Sequence, residues 1–318
     1  MPLPQQVWVL LTAALSPIIR ELAFVLGAVD NPNARRINKK PMPTIGGLAI
    51  FVAFNIGEFV LLRKDFPTHE LFSVLLASSV IILTGLIDDI LELKPRQKMF
   101  GIFVASLVVY FLAGIKVREL SLPFLGHIQL GWWSFPLTIF WILALTNAVN
   151  LIDGLDGLAT GVTLISLVTM GIVGFFFLKS WQHYVPIMCI MLAACLLGFL
   201  PYNFHPAKIF LGDTGALYIG FMISVLSLKG LKNVTFVSLL VPILILGVPI
   251  TDTVYAMIRR KLNKKNISQA DKHHLHHQLM RMGLSHRQTV LAIYGISLIF
   301  SFVSLLSLVS PRWGIWLL

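Results

Sequence analysis

The chain is a succession of long apolar stretches separated by short polar ones. Ten stretches approach the roughly 20 residues that an α-helix needs to cross a bilayer. They run over Val7–Ala28, Gly46–Leu62, Glu70–Ile87, Met99–Ile115, Trp133–Leu151, Leu158–Leu178, Tyr184–Leu200, Gly215–Leu228, Phe236–Ile258 and Gln288–Leu308, the second and eighth being the weakest. One segment breaks the pattern. Lys116 to Leu130 alternates apolar and polar residues around Leu125-Gly126, which predicts a small β-hairpin outside the apolar layer. The residues after Ser310 are too few to cross, and Trp313 and Trp316 suit a membrane interface. Met1 to Gln6 carry no Lys or Arg and no small-residue cleavage pattern follows, so the first helix is expected to be retained. The predicted fold is all-α: a polytopic integral membrane protein of about ten transmembrane helices, forming a single domain over residues 1–318.

Composition agrees with that pattern. Hydrophobic residues make up 57% of the chain and charged residues only 12%, against about a quarter charged in soluble domains. The net charge of +11 would suit nucleic acid, but no long polar basic segment exists to carry such a surface. Basic residues beside apolar spans instead mark cytoplasmic loops. If the first helix enters from outside, the loops after helices one, three, five, seven and nine hold 16 Lys and Arg, and the opposite loops and termini hold 8. Cys189 and Cys195 share one apolar stretch and read as small buried residues, with no disulfide and no Cys metal site.

The polar motifs fall on the side with more positive charge. Asp88 and Asp89 end the third apolar stretch, and carboxylates at a membrane boundary are costly enough to suggest function. Adjacent helical residues point about 100° apart, so the two acids are expected to do different jobs. Asn147, Asn150, Asp153 and Asp156 recur every three residues at the end of the fifth stretch. Such hard oxygen donors suit Mg²⁺, or Mn²⁺, together with phosphate. Helix capping alone would explain one or two of the four. A third motif, Asn203 through Gly215, places Asn203, His205, Lys208, Phe210 and Asp213 in one short loop. Asp213 there could be a simple N-cap. The fourth, His273-His274-Leu275-His276-His277, lies in a long basic loop with Lys272 and Arg281, where imidazoles and cations could meet a diphosphate. Glu21 and Asp252 read as helix-packing or rim residues.

At these motifs, and at Gly27-Ala28-Val29-Asp30-x-Pro32 and Pro43-Thr44-x-Gly46-Gly47, the sequence resembles the polyprenyl-phosphate N-acetylhexosamine-1-phosphate transferase family along nearly its whole length. Asp271 through Leu279 resembles the bacterial branch that takes UDP-N-acetylglucosamine and initiates wall teichoic acid or surface-polysaccharide synthesis. The three consecutive histidines followed by Phe-Glu of the peptidoglycan branch are absent, and Asn38 stands where a histidine is common.

The resemblance implies Mg²⁺ on Asp213 assisted by Asn150, and a catalytic pair at Asp88 and Asp89, with Asp153 and Asp156 as further catalytic candidates. It implies a uridine site around Asn203, Phe210 and Asp156. Lys39, Lys40, Asn147, His274, His276, His277 and Arg281 are the remaining substrate-binding candidates. The implied partners are UDP-N-acetylglucosamine, undecaprenyl phosphate, a bacterial inner-membrane bilayer with the site on its cytoplasmic face, and a second copy in a homodimer. Another UDP-N-acetylhexosamine as donor is the nearest alternative. A secondary transporter is the rival from another class, but no internal repeat is visible and the acids gather at one face.

Overall fold

A computed structural model describes residues 5–30, 41–61, 68–122, 126–176, 184–230, 243–262 and 274–309. Its elements in order are α1 (Gln6–Leu26), β1 (Val29–Asp30), β2 (Met42–Pro43), α2 (Gly47–Leu61), α3 (Thr68–Leu91) and α4 (Pro95–Leu107), which continues through a π-turn, Val108–Leu112. After these come β3 (Glu119–Leu122), β4 (Gly126–Gln129), α5 (Ser134–Ile152), α6 (Leu158–Phe176), α7 (Tyr184–Asn203) and α8 (Gly212–Gly230). The chain then continues through α9 (Gly247–Leu262), α10 (Leu275–Arg281) and α11 (His286–Val309).

Among the described residues six helices, α1, α3, α5, α6, α7 and α11, are long and apolar enough to cross a membrane. The protein is therefore an all-α, multi-pass membrane protein. The expected hairpin is present, with β3 and β4 antiparallel and Glu119 opposite Gln129.

The bundle is organised around α8. It packs on α3 and α5, with α2 and α6 also against it, and every residue from Thr214 to Lys229 is buried. A helix with no exposed face is one meant for an interior. Without water to drive helices together, close backbone approach and dispersion must hold them. Glycines provide that approach: a Cβ on Gly47 would lie 2.0 Å from Gly215 Cα, and one on Gly85 would lie 2.4 Å from Thr214 Cα. The N-terminus of α8 is thus clamped between α2 and α3.

The segment before α2 reinforces the clamp. Phe210 N donates to Pro43 O (2.8 Å), and Gly46 N and Gly47 N donate to Phe210 O and Leu211 O (3.1 and 3.0 Å). Gly212 has a φ of +73°, in the left-handed region that favours glycine, and a Cβ there would sit 1.6 Å from Thr44 O. No larger residue fits at that turn.

Candidate active site

The ends of α3, α5 and α7 and the starts of α4, α6, α8 and α11 lie at the same end of the bundle, carrying the polar motifs with them. At the centre is the first turn of α8. Asp89 accepts from Asp213 N and Thr214 N, both at 3.0 Å, and from Thr214 Oγ1 at 2.6 Å. The cap of α8 is therefore supplied from α3. The simple N-cap reading of Asp213 does not hold, because Asp89 already takes the free amides. Freed of that duty, the Asp213 carboxylate faces other groups. Its Oδ1 accepts from Lys98 Nζ at 2.8 Å and from Asn150 Nδ2 at 2.5 Å.

Lys98 also pairs with Asp88 Oδ2, while Asp88 Oδ1 accepts from Leu93 N at 2.7 Å. The two adjacent acids of α3 thus point to different partners, as helical geometry demands. No motif in the sequence marks Lys98. Its only signal was its position, one of three basic residues in the short connection after Asp88-Asp89. Helix α5 ends at Ile152, so Asp153 and Asp156 lie beyond it in a turn, and the three-residue row bends away from the helix axis. Asp153 keeps part of its surface open but is closely surrounded. Lost hydration, then the negative charges of Asp213, Asp89 and Asp156, push its carboxyl well above the usual range.

This donor set is one of hard oxygens, with a lysine ammonium bridging Asp88 and Asp213 where carboxylates would otherwise repel. Asp213, Asn150 and the neighbouring acids fit a divalent cation such as Mg²⁺ by their chemistry.

Other candidates are arranged around this centre. Asn203 is buried, its Oδ1 accepting from Thr160 Oγ1 (2.7 Å) and its Nδ2 donating to Ile209 O (3.2 Å), so it shapes the loop that leads to Phe210. Asn147 turns aside, its amide donating to Leu143 O at 3.1 Å beside Met99. Asp156 accepts from Ala207 N at 3.2 Å and faces His205 Nδ1 at 2.8 Å.

The histidine motif is latched from α9. Asp252 is buried, its Oδ2 lying 2.8 Å from His274 Nδ1 and its Oδ1 accepting from Leu275 N at 2.8 Å. Its reading as a packing residue is too modest: it positions the motif, a role that no local pattern could disclose across 22 residues. His276 is buried against the turn after α5, where a Cβ on Gly154 would meet its Nε2 at 2.5 Å. Burial, then His277 and His274, hold the His276 imidazolium at about 4, well below the usual value. His277 lies next to it, ring centroids 4.2 Å apart, and Arg281 is exposed at the end of α10. Lys39, Lys40 and His273 lie outside the described residues.

The fold and site define a multi-pass membrane protein that gathers acids, an amide and a lysine at one end of its helical bundle. Comparison with known proteins specifies which kind. The model of glycosyl transferase family 4 matches residues 71–231. The chain is 46% identical to the probable undecaprenyl-phosphate N-acetylglucosaminyl 1-phosphate transferase of Bacillus subtilis, covering 90% of this chain and 79% of that protein. It is 35% identical to the decaprenyl-phosphate N-acetylglucosaminephosphotransferase of Mycobacterium tuberculosis, covering 92% and 80%. It is 31% identical to a phospho-N-acetylmuramoyl-pentapeptide-transferase of Clostridium botulinum, covering 92% and 90%. The chain belongs to glycosyl transferase family 4, the polyprenyl-phosphate N-acetylhexosamine-1-phosphate transferases.

Proposed function

We propose that this protein transfers N-acetylglucosamine 1-phosphate from UDP-N-acetylglucosamine to undecaprenyl phosphate at the cytoplasmic face of a bacterial plasma membrane, releasing UMP. The product would initiate wall teichoic acid or surface-polysaccharide synthesis. The observation that carries this reading is the convergence of Lys98 and Asn150 on Asp213 Oδ1, beside Asp88 and Asp89, at the end of apolar helices. The similarity to the Bacillus subtilis relative supports the sugar and the lipid.

The chemistry brings two anions together. Unit charges about 4 Å apart repel by roughly 4 kcal/mol at an effective dielectric near 20, and each phosphate carries more than one charge. Mg²⁺ held by Asp213 and Asn150, with Mn²⁺ as a substitute, would supply neutralisation of the diphosphate when bound. The protein's own groups do the rest. Lys98 offers a cation at the same point. Asp89 holds the first turn of α8 rigid, so that Asp213 presents its carboxylate at a fixed position. Asp252 holds the histidine motif against the Gly154 turn, close to Asp153 and Asp156.

An oxygen of the lipid phosphate attacks the sugar-bearing phosphorus. The bond from that phosphorus to the bridging oxygen breaks, and the oxygen leaves with UMP. The second pKa of a phosphomonoester is about 6, so the attacking group is already largely a dianion at neutral pH. Asp88 and Asp89 serve in positioning, and no strong base is required. One phosphoanhydride is consumed and one is formed, so the equilibrium constant lies near unity and added UMP drives the reaction backwards.

The test is an assay with purified protein, undecaprenyl phosphate, Mg²⁺ and either UDP-N-acetylglucosamine or UDP-N-acetylgalactosamine, scored for UMP and glycolipid. Glycolipid from the glucosamine donor alone is the expected result. Uptake of sugar nucleotide into proteoliposomes without UMP release would replace this reading with transport.

A further inference from the structure

One constellation has no part in the reaction as described. Asp156 in the turn after α5, His205 in the α7–α8 connection and His286 at the start of α11 meet at one point. A carboxylate oxygen and one ring nitrogen from each histidine all lie within 4.8 Å of one another. His205 Nδ1 is 2.8 Å from Asp156 Oδ2, and His286 Nε2 accepts from Asp156 N at 3.0 Å. The two imidazoles stack with centroids 4.1 Å apart and planes 21° from parallel.

We propose that Asp156, His205 and His286 form a binding site for a transition-metal dication of the zinc class, distinct from the hard-oxygen site at Asp213. Two imidazole nitrogens with one carboxylate oxygen suit Zn²⁺, Co²⁺ or Ni²⁺, whereas Mg²⁺ prefers oxygen throughout. Three protein ligands with a fourth position open is the arrangement zinc adopts when it also binds water or another ligand. His205 is 36% exposed, which leaves that fourth position reachable.

The ligands are held in place before any metal arrives. Arg287 Nε donates to His205 O at 3.1 Å, Ala207 N donates to Asp156 Oδ2 at 3.2 Å, and Tyr294 OH donates to Gly157 O at 2.5 Å. Donor atoms about 2.1 Å from a tetrahedral ion stand about 3.4 Å apart, so the Asp156–His205 pair, 2.8 Å apart, need open by only about 0.6 Å. His205 carries its proton on Nε2 when Nδ1 binds metal, and His286 exchanges the Asp156 amide for the ion.

Binding ties three separate connections together, so it raises thermal stability. A second consequence rests on the proposed function and on the uridine site that the family resemblance implies at Asp156: occupancy then competes with the UDP-sugar.

The experiment is a Co²⁺ titration of purified, chelator-stripped protein in detergent, followed by visible absorption. One equivalent giving saturable d–d bands, bleached by Zn²⁺, is expected. His205→Gln and His286→Gln should each weaken binding at least about tenfold, since even outer-shell partners of a metal cost that much. His276→Gln and His277→Gln should leave the bands unchanged. No saturable band, or bands that survive both His205→Gln and His286→Gln, would overturn the site. If either glutamine variant melts early without metal, Asp156→Asn keeps the acceptor but loses the charged ligand, and must lose the Zn²⁺-dependent rise in Tm. Intact cobalt bands without any Zn²⁺ effect on the KM for UDP-N-acetylglucosamine would discard the nucleoside placement and leave the metal site standing.

Discussion

The carboxylate of Asp89 accepts the backbone amides of Asp213 and Thr214, each at 3.0 Å, across 124 and 125 residues of sequence. A helix end is thereby capped by another helix, and the residue at that end is released to face Lys98 and Asn150. Asp89 and Asp213 are thus a positioned pair: one fixes the backbone from which the other projects.

Asp89→Ala should lower stability by about 1–2 kcal/mol, the usual worth of an N-cap, and activity by far more. Asp89→Asn keeps one acceptor and should restore most of the stability. Thermal melting in detergent alongside UMP release separates the two effects. Equal loss of activity and stability in both variants would remove the positioning role.

Asp213→Asn should leave the fold intact and reduce turnover on the order of 10²–10³-fold, as expected for loss of one preorganised charge partner. Circular dichroism and melting check the fold. Wild-type turnover in this variant would eliminate Asp213 as the holder of the cation.

Lys98 lies between Asp88 and Asp213. Lys98→Met leaves two carboxylates facing each other without a cation, so turnover should fall and the Mg²⁺ concentration needed for half-maximal rate should change. Lys98→Arg should recover part of the rate. Identical Mg²⁺ dependence in wild type and Lys98→Met would show that the lysine does not act at the cation site.

The pH dependence has two separable parts. The unfolded chain binds a proton at His276 below about 6.5, whereas the folded protein resists one until about 4. Stability is therefore lost as pH falls from 6.5 towards 4, by roughly 3 kcal/mol. His276→Gln should flatten this acid limb of a plot of Tm against pH. Turnover should be nearly flat from about pH 6.5 to 9, because the lipid phosphate is already dianionic. A steep dependence on a group titrating above 8, lost in Asp88→Asn or Asp89→Asn, would restore a general base.

Asp252→Ala removes the anchor of His274 and Leu275. One lost charge-assisted hydrogen bond is worth about 1.5–3 kcal/mol, so the KM for UDP-N-acetylglucosamine should rise by about ten- to a hundredfold. Wild-type KM in this variant would reduce Asp252 to the packing role its sequence context suggests.

Apolar runs located the six long helices and alternation located the hairpin, because the length of an apolar run and the alternation of residues are local properties that a bilayer or a β-turn reads directly. The same runs placed Asp88, Asp89, Asn150, Asp153 and Asp213 at helix ends, since acids cannot be carried cheaply into hydrocarbon. What pairs with what was decided by tertiary packing. That Asp89 caps α8, that Lys98 reaches Asp213 across 115 residues, that Asp252 latches the histidine motif and that His286 meets Asp156 all depend on which helices lie side by side. The glycines at 47, 85 and 212 admit those approaches. A lysine or aspartate in a loop has the same sequence signature whether it faces water or a partner, because Coulomb and hydrogen-bond energies depend on distance in space and carry no period along the chain.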